Sequence, residues 1–120
     1  MKNFPPPEAV AKYHGFMRQW QQKLNLQDWR FIFSSRVAKG AMSDMSSVYA
    51  DRTATYRLGN FDGSPMTDHE LESTACHEAL HTLLDELIEV VKASASEDIQ
   101  MAAQHRIINT LERLLVPPPL

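Results

Sequence analysis

His77-Glu78-Ala79-Leu80-His81 reads H-E-x-x-H inside a long stretch of helical spacing. Two histidines four residues apart on a helix stand on one face, about one turn apart, so both rings can reach a single metal ion. Glu78 lies one step round the helix, near enough to take a proton from a water at that ion. This is the arrangement expected of a zinc hydrolase helix. The residues ahead of it support the helix. Thr67-Asp68-His69-Glu70 fits a capping box, with Thr67 as N-cap and Glu70 at N3. Leu80, Leu83, Leu84, Leu87 and Val91 form one apolar arc. His77 and His81 project to its edge, and Glu78 lies further round toward the polar side. The motif is therefore expected to line a cleft at the border of the core.

Working outward toward the N-terminus, Val10, Tyr13, Phe16, Met17, Trp20 and Leu24 recur at three- and four-residue steps. They predict an amphipathic helix over 8–24, packed on a sheet, with Pro5-Pro6-Pro7 as a stiff lead-in. Trp29 to Val37 is rich in aromatic and β-branched residues and reads as a strand, with Phe31, Phe33 and Val37 on one face. Lys39-Gly40 marks a turn. Met42 to Ser46 is polar and fits either a loop or a ragged strand. Ser47 to Ala50 and Thr53 to Leu58 read as further strand, interrupted at Asp51-Arg52. Ala54, Tyr56 and Leu58 alternate with Thr53, Thr55 and Arg57, as one buried and one wet face require. Short connections predict an antiparallel meander. Residues 59–65 are dense in turn formers.

Beyond the motif, Ala93-Ser94-Ala95-Ser96 is a weak break. Ser96 can cap a last helix, with Glu97 and Asp98 at its positive end. Met101, Ile107, Ile108, Leu111, Leu114 and Leu115 supply an apolar face, and Val116-Pro117-Pro118-Pro119 ends it. The expected fold is α+β over residues 1–120 as one domain. It has an N-terminal helix, a small antiparallel sheet and two C-terminal helices packed antiparallel.

Composition bounds the function. The chain has 120 residues, 43% hydrophobic and 22% charged, which suits one modest globular core. A formal net charge of −3 gives no reason to expect a nucleic-acid surface. Cys76 is the single cysteine, so no internal disulfide is possible and a reducing, cytoplasmic setting is expected. Met1 to Pro7 has no apolar core of the kind a secretory signal needs, and no apolar run approaches the ~20 residues that span a bilayer.

A catalytic zinc site needs three protein ligands and an open position for water. His77 and His81 supply two. The motif in its setting resembles the zincin metallopeptidases, and in particular the small stand-alone metallopeptidases of phages and prophages. The resemblance rests on Thr74-Ala75-Cys76-His77-Glu78-Ala79-Leu80-His81, on Leu26-Gln27-Asp28-Trp29 leading into a strand, and on a closing helix over 105–115. It implies a Zn2+-dependent hydrolysis of peptide bonds in a peptide or protein substrate, with Glu78 as general base. It also implies a third ligand on the last helix, and a strand along the cleft that holds extended substrate, which would be Thr53 to Leu58.

The third ligand has three candidates. In zincins of the glutamate-ligand type it is a Glu, and this chain has Gln104-His105 where that Glu is sought. Gln104 sits mid-face, but a neutral amide is a poor zinc ligand. His105 is chemically better, about 100° further round, and Asn109 could orient its ring. Straight helices running to the Ser94–Ser96 break would put His81 ~20 Å and His105 ~14 Å from it, favouring Glu112. A first helix ending near Ile88 would instead bring 104 or 105 level with the motif. His105 is the preferred ligand. His14 and His69 read as surface or core-edge residues. A non-enzymatic accessory protein with a structural or vestigial metal site is the alternative function, and hydrolysis of a non-peptide amide is a further one.

Overall fold

The structure is a computed structural model that describes residues 5–38, 40–61, 64–92 and 96–119, and for Glu86 and Val90 the backbone only. The expected turn at Lys39, the middle of the 59–65 loop and most of the 93–96 break lie outside the described residues. The fold is α+β, with an N-terminal helix, a three-stranded mixed sheet and two packed C-terminal helices.

Helix α1 spans Pro7–Lys23, with proline in its first turn where a missing N–H costs nothing. Tyr13, Met17 and Trp20 are buried, and Val10, Phe16 and Leu24 pack on the core from its edge. The stripe is the expected one, but its main partner is a helix, not the sheet: α1 packs chiefly on α2, which spans Asp68–Val91. His14 lies at the core edge, stacked on Phe33 with ring centroids 4.1 Å apart.

Strand β1 is Arg30–Phe33, shorter than expected. Strand β2 is Ser43–Val48 and β3 is Thr53–Leu58. The ragged polar stretch from Met42 is therefore genuine strand, and most of it lines a cleft. A 3-10 turn at Tyr49–Asp51 and left-handed Arg52 (φ 56°) reverse the chain, so β2 and β3 pair antiparallel, Ser43 opposite Leu58 and Val48 opposite Thr53. The sheet order is β1-β3-β2. The expected meander is thus corrected in one ladder. Because β3 inserts between β1 and β2, it runs parallel to β1, with Arg30 opposite Thr53 and Phe33 opposite Tyr56. Ala54, Tyr56 and Leu58 are buried as the alternation requires.

Thr67 caps α2, its hydroxyl accepting from Glu70 N–H at 3.2 Å. The face of α2 turned to the core is Leu71, Ala75, Ala79 and Thr82, all 0–1% exposed. Leu80 joins them, but Leu83 and Leu87 of the expected arc are 39% and 52% exposed, since nothing described covers that end. Ser96 caps α3, Glu97–Leu115, by accepting from Ile99 N–H at 3.3 Å. Only Gln104 and Ile108 of α3 are buried. Met101, Ile107, Leu114 and Leu115 remain exposed despite their apolar pattern, because α3 lies on the molecule as an outer layer packed chiefly on α2. Among the described residues no helix is long and apolar enough to cross a membrane.

Candidate metal centre

The antiparallel pairing of α2 and α3 sets the site. Fourteen positions separate His77 from the end of α2, and fifteen separate Glu97 from Glu112. The two therefore come level, and nearer the connection His81, one turn on along α2, meets Gln104 and His105, two turns back along α3. Helix α2 runs past Ile88 to Val91, yet His105 still reaches the motif. Straight-helix arithmetic placed the turn too far away because the helix stops at Val91 and α3 begins only at Glu97.

His77, His81 and His105 each offer a ring nitrogen, and these atoms lie within 4.8 Å of one another, close enough to hold one metal ion. The ring centroids are 5.0 Å apart for His77–His81, 4.9 Å for His81–His105 and 5.8 Å for His77–His105. Among the described residues no fourth carboxylate, thiol or imidazole joins them. His69, two turns earlier, is outside the group. Cys76 is fully buried, and burial pushes its thiol up to about 12, which keeps it protonated and inert.

The other two candidates for third ligand have different roles. Glu112 Oε1 lies 3.1 Å from Nδ1 of His77. A neutral His77 ring donating Nδ1–H to that carboxylate leaves Nε2 free for an ion, as metal-binding histidines usually are arranged. The Glu112 hydrogen bond also raises the His77 pKa, with burial opposing it. Gln104 is 7% exposed and points its amide Nε2 at the His81 carbonyl, a long contact of 3.5 Å. Asn109 is exposed and makes no hydrogen bond to His105.

His81 is held down to about 4, first by burial, then by the two neighbouring imidazoles. A ring with so low a proton affinity is free to bind metal at neutral pH. Glu78 departs from expectation. It is 5% exposed rather than on a polar side, because β2 covers that face of α2. Burial raises its carboxyl to about 7, and Asp44 and Glu112 add to the rise. His77 and a hydrogen bond from Ser43 work against it.

These groups line a cleft of about 700 Å³ between α2, α3 and β2. The strand beside it is β2, from Ser43 to Ser47, which is an edge strand. Thr53 to Leu58, expected along the cleft, is the central strand with both ladders filled, so it cannot pair with a further chain. The expectation failed because the polar run of β2 concealed a strand.

No protein-family model matches this chain, and no curated protein or solved structure matches it either.

Proposed function

We propose that this chain is a zinc-dependent peptidase working in the cytoplasm, with His77, His81 and His105 holding the ion and Glu78 as the general base. The observation that carries this reading is the convergence of three imidazoles beside a buried carboxyl, with Glu112 behind one of them. An ion held there would supply Lewis acidity and make a neighbouring water reactive near neutral pH. Glu78 would accept a proton from the attacking water and return it to the amine when the C–N bond breaks. Glu112 fixes the His77 ring and raises its basicity toward the ion. The free edge of β2 offers main-chain groups to an extended peptide.

Protein purified without added zinc, then assayed by metal analysis and zinc titration, tests the metal. Fewer than about 0.2 equivalents with no uptake on titration would remove it. His105→Ala should weaken binding by more than about 100-fold. Glu78→Gln should keep the metal and lose hydrolysis of a fluorogenic peptide library, and surviving hydrolysis would show that Glu78 is not the base.

A second reading has its own support. Gln104 is buried against His81, and α3 has few other anchors, so an ion bridging α2 and α3 could serve to brace the fold in a non-enzymatic protein. A closed metal shell without water would favour it.

A further inference from the structure

The end of the cleft nearest the α2–α3 connection has its own chemistry. Asp85 stands one turn beyond His81 on the same side of α2, about 6 Å further along the axis. It lines the cleft together with Ile88 of α2 and Met101 of α3. Its Oδ2 is cut off from solvent and receives no hydrogen bond among the described residues. Lys92, the next lysine along the chain, is taken up by Glu89 at 2.6 Å. A carboxylate oxygen shut in without a donor lacks a partner that a ligand can bring.

The rest of the lining sets the sign of that ligand. The other carboxylates on the cleft are Asp44, Glu70, Glu78 and Glu112. Arg57 holds Asp44, and His77 faces Glu112. The chain has 12 lysines and arginines, yet among the described residues none lines the cleft. A concave wall carrying one sign of charge draws the opposite sign. Ile88 is half-buried and Met101 is 43% exposed, so a long side chain would have apolar surface for its stem on the way to the carboxylate.

We propose that Asp85 is the specificity-determining residue of the cleft, seating a lysine or arginine side chain of an extended peptide. Residues of an extended chain advance about 3.3 Å each, so the offset of about 6 Å from His81 puts that side chain one or two residues from the bond presented to the metal centre. This deepens the peptidase reading and rests on it for the cutting, while the seat itself needs no turnover. A neutral side chain at that place would bring no donor to Asp85, and an acidic one would set two carboxylates against each other.

The test uses zinc-loaded protein and fluorescein-labelled peptides that differ only in carrying lysine or norleucine at one position. Norleucine keeps the stem and drops the charge. The ratio of kcat/KM, lysine over norleucine, should be at least about 10 at one position near the cleaved bond and fall to about 1 in both Asp85→Asn and Asp85→Ser. Asp85→Glu, which keeps the charge, should keep a preference for lysine. No preference in the unaltered protein, or one that survives the loss of the carboxylate, overturns the assignment. If the unaltered protein cuts none of the peptides, the peptidase reading fails and fluorescence anisotropy of the same peptides decides the seat. The lysine peptide should then bind about 10-fold more tightly than the norleucine peptide, and Asp85→Asn should erase that margin. Equal binding of the two peptides by a protein that cuts neither rejects the seat.

Discussion

Glu112 and His77 face each other across the α2–α3 seam with 3.1 Å between Oε1 and Nδ1. That contact fixes which ring nitrogen of His77 points at the other two imidazoles. Glu112→Ala should weaken zinc binding by roughly 10- to 100-fold, as removal of such an orienting carboxylate does elsewhere. Calorimetric titration at neutral pH measures it. An unchanged affinity would mean the carboxylate only decorates the seam.

Zinc binding should fall with acidity in a particular order. His81 keeps its proton off down to about 4, so it does not compete. His77 has a raised proton affinity, through its Glu112 hydrogen bond, and begins to protonate above 6.5. Apparent affinity should therefore drop at least about 10-fold per pH unit once His77 protonates, at least one proton being displaced per ion. A flat profile between pH 7 and 5 would contradict the assignment of His77 as a ligand.

Glu78 should make the metal-stripped protein less stable at higher pH. Its folded-state pKa of about 7 lies above the ordinary 4.5, so the folded state binds this proton more tightly than the unfolded chain. That contribution is complete below pH 4.5 and disappears as pH rises through 7. Glu78→Gln removes the dependence. With metal chelated, the variant should gain on wild type between pH 5 and 8 by on the order of 2 kcal/mol. Urea denaturation at the two pH values provides the comparison, and parallel stability curves would count against a buried Glu78.

Gly59 is a packing requirement. Its N–H donates to the Met42 carbonyl at 2.7 Å, and a Cβ there would come within 2.2 Å of the Ala41 carbonyl oxygen. Gly59→Ala must push apart two backbone segments that frame the entrance to β2. A loss of at least about 2 kcal/mol is expected by thermal denaturation. Gly40→Ala offers a contrast, since open space surrounds that position and only its positive φ resists the change.

The long helices were readable because their caps and periods agree. Thr67 and Ser96 announce α2 and α3, and both hydroxyls accept the expected N–H. The α1 stripe was equally plain, yet its partner was not, since a period tells which side is buried and not against what. The sheet was read less well. Asp44 and Ser46 carry little strand signal, so the first part of β2 fitted a loop as well as a ragged strand, and the parallel ladder depends on which side of β3 the earlier strand chooses. In the centre, the spacing of His77 and His81 follows from one helix, while His105 and Glu112 depend on where two helices stop. Both were candidates for one position, and the structure brings both in, one to the imidazole group and one behind it. The depth of Glu78 could not be seen without knowing that β2 covers it.

Helix α3 buries only Gln104 and Ile108 of its own residues, with Leu111 and the Glu112–His77 contact beside them. With so light a grip, its backbone amides should exchange with deuterium much sooner than those of α2, whose inner face is sealed on both α1 and β2. An ion clasped between His81 and His105 would work as a rivet through that outer layer. Exchange in α3 should then slow on adding zinc while α2 stays as it was, making the last helix the part of the molecule that senses whether the metal is present.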